Sequence, residues 1–170
     1  MTAIRNARML ARYKAWADTR IFDSVAALPP GEAEKPRATL FKTIVGTLNH
    51  NYVVDLIWQA HLEGREHGFK ARNMVLHAEL AALRRAQDEV NAWYVTWADT
   101  QTESSLAEVL NFRFVSGKPA RMSRGDMLLH VVTHSSYHRG WVAERFYDIP
   151  AKPLEMDLPV FLGEAGAEWV

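Results

Sequence analysis

The stretch LHVVTHSSYHRGWV, residues 129–142, carries His130, His134 and His138 at four-residue intervals. Each residue of an α-helix turns by about 100°, so this spacing places the three imidazoles along one side of a helix. Apolar side chains such as Val131 share that side, whereas most of the polar residues between them point elsewhere. The stretch therefore predicts a helix whose packed side bears three histidines.

Composition limits the classes to which the protein can belong. Its 170 residues are 48% apolar, which fits one folded domain spanning residues 1–170. The 20 basic and 20 acidic side chains cancel, so no overall field gathers nucleic acid or an acidic membrane. No apolar run approaches the roughly 20 residues that cross a bilayer, and we expect a cytoplasmic protein without nucleic-acid or membrane partners. The sequence contains no cysteine, so any metal must be bound by His, Asp or Glu.

Apolar periodicity predicts an all-α protein built as a four-helix bundle. The expected helices are a first that ends at Leu28 before a Pro-Pro-Gly turn, a second from a Thr39 cap to about Leu62, a third with a seven-residue repeat from Leu76 to Trp97, and a fourth from a Ser123 cap to about Tyr147. The second is apolar on nearly every side, which is typical of a central helix.

Two further segments have a different pattern. Residues 110–115 alternate apolar and polar side chains before a Ser-Gly-Lys-Pro turn, which predicts a short β-hairpin inserted before the last helix. Residues 151–170 are rich in Pro and Gly but keep several apolar side chains. We expect this tail to pack over the bundle as an arm.

The histidines of the last helix need partners for their ring nitrogens if they are buried. A metal ion supplies one partner for each ring, and histidines at i and i+4, such as His134 and His138, can share one ion. His50, in TLNHNYVVDLIW of the second helix, is the expected third ligand, with Gly46 leaving room beside its ring. Three ligands leave a coordination position open, which is typical of a catalytic rather than a structural site.

The other histidines have simpler interpretations, because a lone core histidine is more often structural than a ligand. His130 lies one turn from the pair and is expected to support the ligands or to pack in the core. His61 and His67 are expected to be solvated, and His77 to lie on the surface. Motifs for ferritin-like di-iron sites, His-Glu-x-x-His zinc sites, nucleophile elbows and nucleotide-binding loops are not found in the sequence.

The order of four segments resembles the DinB family, which is unrelated to the DNA polymerase of the same name. The segments are YKAWADTRIFDSVAALP, LNHNYVVDLIW, HVVTHSSYHRG and MDLPVFL. The resemblance implies an up-down-down-up bundle, a divalent ion (most often zinc or nickel) held by His50, His134 and His138, and a homodimer. The sequence departs from the family pattern at Trp141. The family often has Gln at this position, directly after His-Arg-Gly, and we expect the indole to crowd the site.

The resemblance and the histidines together favour a metal-dependent enzyme. Some relatives transfer low-molecular-weight thiols to small electrophiles, so thiol-dependent S-transferase chemistry is the leading hypothesis. A metal-dependent hydrolase, a non-catalytic metal-binding stress-response dimer and a plain helical interaction module are the alternatives. The catalytic residues stay unassigned, and Tyr13 and Asp55 are the only candidates for a general acid or base.

Overall fold

The structure, a computed structural model, describes residues 2–169. Its elements are α1 (Ala3–Ala26), α2 (Ile44–Leu62), α3 (Leu80–Thr100), the short α4 (Glu103–Ala107), β1 (Val109–Arg113), β2 (Pro119–Ser123), α5 (Arg124–Glu144) and α6 (Leu158–Glu164). Short 3-10 turns follow α5 and α6. Within the described residues, no helix is both long and apolar enough to cross a membrane.

Two apolar clusters show how the four long helices run. One cluster joins the N-terminal halves of α1 and α5 to the C-terminal halves of α2 and α3, with Ala7 and Leu128 near Trp58 and Tyr94. The other joins the opposite halves of the same helices. Helices α1 and α5 therefore run in one direction and α2 and α3 in the other, which confirms the predicted all-α up-down-down-up bundle. The long connection between α2 and α3 carries the chain back across the bundle.

A buried layer of charged and amide groups separates the two clusters. The Lys14 ammonium donates to Asp18, Asp55 and Asn91 at 2.6–2.7 Å, and the Arg139 guanidinium donates to Asp18 at 2.6 Å. These residues come from α1, α2, α3 and α5. Because two cations face two carboxylates in the buried interior, each group depends on the others for compensation, and the layer fixes the register of all four helices.

Some helix ends differ from those predicted. Helix α2 begins after Thr43 rather than Thr39, because the Thr43 hydroxyl accepts from the Gly46 N–H and caps the helix there. Helix α3 begins at Leu80 rather than Leu76. The backbone N–H groups of Leu76 and of the residue after it donate to the Asn49 side chain, which holds this segment as a loop.

Helices α1 and α5 end two and three residues before their predicted ends, at Ala26 and Glu144. The predicted Ser123 cap is confirmed, since its hydroxyl accepts from the Asp126 N–H. The hairpin is also confirmed, with Val109 paired to Ser123 and a turn at Gly117, whose φ is +81°. Helix α4 was not predicted.

The tail packs over the bundle as predicted. Phe161 of α6 is buried, and its ring lies 5.9 Å from that of Tyr13 and 5.5 Å from that of Trp16. The Tyr13 hydroxyl donates to the carbonyl oxygen of Met156 at 2.9 Å. These contacts hold the tail against α1.

Candidate metal centre

Three histidines from two antiparallel helices meet inside the bundle. His50 of α2 and His134 and His138 of α5 each offer a ring nitrogen, and these atoms all lie within 4.8 Å of one another. The Nε2 atoms of His50 and His134 are 3.2 Å apart. Two nitrogens bound to one tetrahedral ion at 2.0–2.1 Å lie about 3.3 Å apart. The cluster can therefore hold a metal ion with little movement of these two rings.

The orientation of the His50 ring is set by its other nitrogen. His50 Nδ1 donates to the carbonyl oxygen of Arg72 at 2.8 Å. The neutral ring then has its proton on Nδ1, and the lone pair of Nε2 faces His134. A backbone carbonyl in this position is a common partner of metal-binding histidines.

The Nδ1 atoms of the two α5 histidines are buried without a partner. Within residues 2–169, neither the His134 Nδ1 nor the His138 Nδ1 has a hydrogen bond. Unpaired buried polar atoms cost about 1–3 kcal/mol each. These two rings are therefore not ordinary core histidines with both nitrogens satisfied.

The three rings are neutral at pH 7. Burial lowers the pKa of His134 to about 2, with the neighbouring histidines adding to the shift. Burial and then the proximity of His50 lower the pKa of His138 to about 4, and burial lowers the pKa of His50. Neutral imidazole is the form that binds metal, so the cluster is ready to bind without first releasing protons.

Aromatic rings fix the position of the cluster. Phe41 stacks on His50 with the ring centres 4.3 Å apart, and Trp141 lies edge-on to His138 at 4.9 Å. The expected role of Gly46 was wrong. A Cβ at this position would overlap the Phe41 carbonyl oxygen, so the glycine makes room for the backbone before α2 rather than for the imidazole.

The cluster lines a cavity of about 900 Å³. Trp141 forms part of its wall, with its ring centre 4.9 Å from that of His138, so the indole lies beside the cluster as expected. Its lining also includes Phe41, Trp58, His61, Lys70, Arg72, Phe114 and His130. A large cavity beside three clustered imidazoles gives a small molecule access to any ion held there.

The remaining histidines lie outside the cluster. His130 is half-buried with its ring centre 4.6 Å from that of Trp58 and 5.6 Å from that of His134. His61 is not solvated as predicted, because its ring packs at 4.7 Å against Phe112 and burial lowers its pKa to about 4. His67 is also half-buried, and its Nδ1 accepts from a backbone N–H two residues on. His77 is half-buried in the loop before α3.

The two candidates for a general acid or base lie elsewhere. Asp55 is fully buried in the ion pair with Lys14. Tyr13 contacts the tail and lines a separate cavity on the other side of α5. Sequence reasoning also missed Phe41 and Arg72, which contact His50. Arg72 lies in a loop, where no periodicity shows which side chains face a site, and Phe41 lies before the true start of α2, inside the predicted helix.

Comparisons with known proteins identify the family to which the chain is similar. The sequence profile of the DinB family matches residues 3–165. A curated relative, named Protein DinB, from Bacillus subtilis (strain 168), is 25% identical over 137 residues, which cover 77% of this chain and 78% of that protein.

Proposed function

This chain belongs to the DinB family, and we propose that His50, His134 and His138 together bind one divalent metal ion in the wall of the cavity. The observation that carries the proposal is the convergence of three neutral ring nitrogens within 4.8 Å. Imidazole nitrogen suits zinc and nickel, which are therefore the proposed metals.

We further propose that the protein is a thiol-dependent S-transferase. A bound divalent ion lowers the pKa of a coordinated thiol or water. Because the chain has no cysteine, the sulfur comes from a low-molecular-weight thiol. The thiol loses its proton to solvent, its sulfur forms a bond to an electrophilic carbon, and the leaving group departs with the bonding electron pair.

The chain's own residues would bind and orient the electrophile. Phe41, Trp58 and Trp141 provide flat apolar walls on which an apolar body can lie. The Arg72 carbonyl and the stacked Phe41 ring keep His50 from rotating away. Fixed positions for ligands and substrate lower the entropic cost of bringing thiol and electrophile together.

Metal binding is tested first, by elemental analysis of protein purified without a histidine tag. We expect about one zinc or nickel per chain, and loss of that metal in His134→Ala. His77→Ala is the matched control, since it removes a histidine outside the cluster and should retain the metal. Equal metal content in the two variants would show that the cluster is not the site.

Catalysis is tested by incubating the metal-loaded protein with thiols, such as bacillithiol or mycothiol, and a panel of small electrophiles. Thiol-dependent product formation that is lost in His134→Ala supports the transferase. Turnover of esters or amides without a thiol would instead support the alternative of a metal-dependent hydrolase. Stoichiometric metal without turnover, together with unfolding on chelation, would support a non-catalytic metal-binding protein.

From the family resemblance we also propose that the protein is a cytoplasmic homodimer with a role in a stress response. Light scattering on the purified protein tests the dimer. A mass of one chain, about 19.3 kDa, at micromolar concentration would contradict it.

A further inference from the structure

The charged side chains of the cavity all have the same sign. Those that line it are Lys70 and Arg72, both in the loop between α2 and α3. The cavity is therefore electropositive, and a bound divalent ion would make it more so.

Arg72 is attached to the histidine cluster through its backbone. Its carbonyl oxygen accepts from His50 Nδ1 at 2.8 Å. Its side chain lines the same cavity as His130 and His134. The guanidinium and the histidine cluster therefore belong to one site.

The N–H donors of the Arg72 guanidinium have no acceptor among residues 2–169. Among residues 2–169, no hydrogen bond or ion pair of its guanidinium is found, whereas Arg12, Arg124 and Arg139 all pair with carboxylates. A guanidinium presents five N–H donors in a planar fork that fits a carboxylate. An arginine that lines a cavity with this fork unused is suited to binding an anionic group.

Much of the rest of the lining is apolar and aromatic. Phe41, Trp58, Phe114 and Trp141 supply flat surfaces within the same cavity. We propose that the cavity binds an organic anion, with a carboxylate paired to Arg72 and an apolar, preferably aromatic, body against these rings. This deepens the proposed function, on which it rests for the identity of the cavity as a substrate site, but the anion contact itself requires no metal.

Isothermal titration calorimetry with two isosteric probes tests the contact. Naphthalene-2-carboxylate and the neutral naphthalene-2-carboxamide share one aromatic body and differ in charge. We expect the wild type, as purified, to bind the carboxylate more tightly. Arg72→Gln should weaken carboxylate binding about tenfold and leave carboxamide binding within twofold. Arg72→Lys should fall between, because it keeps the charge without the fork.

Arg85→Gln is the matched control, since it removes the same charge from an exposed position of α3 that does not line the cavity. It should leave both affinities unchanged. The inference is overturned if Arg72→Gln binds the carboxylate as tightly as the wild type, if both probes weaken equally, or if the wild type binds neither probe.

Metal analysis of the same samples separates this inference from the proposed function. A wild type without stoichiometric metal that still shows the Arg72-dependent difference would overturn the metal centre and leave the anion contact in place. Normal metal content in Arg72→Gln with unchanged carboxylate affinity would overturn only the anion contact. Arg72→Gln retains the backbone carbonyl that holds His50, so we expect its metal content to be normal.

Discussion

Arg139 Nη1 donates to Asp18 Oδ1 at 2.6 Å across the interface between α5 and α1, one residue beyond His138. Asp18 also accepts from Lys14, which in turn donates to Asp55 on α2, the helix that bears His50. A continuous buried chain of charges thus joins the two helices that supply the histidines. We infer that the central layer sets the distance between His50 and His138.

Asp18→Asn should therefore destabilise the fold and weaken metal binding together. The substitution leaves Lys14 and Arg139 with a single carboxylate, and breaking a buried pair by removing one partner costs about 3–5 kcal/mol. We expect a loss of about 3 kcal/mol in the free energy of unfolding, measured in urea. Asp23→Asn is the control, because its pair with Arg84 is exposed and surface pairs contribute about 0–1 kcal/mol. Equal losses in the two variants would contradict the prediction.

Stability of the metal-free protein should fall as the pH drops below about 6.5. The folded state holds the pKa of His134 near 2 and that of His138 near 4, whereas an unfolded histidine has a pKa near 6.5. Below that value the unfolded chain binds more protons than the folded chain, so acid favours unfolding. The contribution of the two neutral histidines to the free energy of unfolding is complete above about pH 6.5. It is lost progressively down to about pH 4 for His138 and further for His134.

Urea unfolding at pH 7.5, 6.5 and 5.5 measures this dependence. His134→Ala removes one of the shifted groups and should give a shallower decline over the same interval. An identical decline in the variant and the wild type would show that the His134 ring is not shifted in the folded protein.

The sequence was informative where periodicity or a cap specifies structure, and less so in the loops. The histidine spacing on α5 and the position of His50 were enough to predict which three rings converge, because helix geometry fixes the direction of each side chain. The prediction of Thr39 as the cap of α2 was wrong. Thr43 carries the same hydroxyl group four residues later, and its hydroxyl accepts from the Gly46 N–H. Arg72 was missed because its contact with His50 depends on a connection whose path only the folded chain defines.

Gly46→Ala should destabilise the protein and displace Phe41 from His50. The added methyl group would overlap the Phe41 carbonyl oxygen, a backbone atom that cannot move without shifting the loop before α2. Overpacking of this kind typically costs about 1–3 kcal/mol. Gly140→Ala is the matched control, because a Cβ there meets no atom within 4 Å and the helix should gain up to about 1 kcal/mol. Thermal unfolding measures both changes, and a stabilised Gly46→Ala would contradict the assigned role of this glycine.

Removing His130 should leave the metal in place, whereas removing His138 should release it. The His130 ring lies outside the cluster of nitrogens within 4.8 Å and packs instead on Trp58. We expect His130→Ala to retain about one ion per chain, with a fall in affinity no larger than the 10- to 100-fold typical of residues that support ligands. His138→Ala leaves two nitrogens, too few to hold an ion against a chelator. Competition with a fluorescent zinc chelator measures both affinities, and a His130→Ala protein as depleted as His138→Ala would make His130 a ligand.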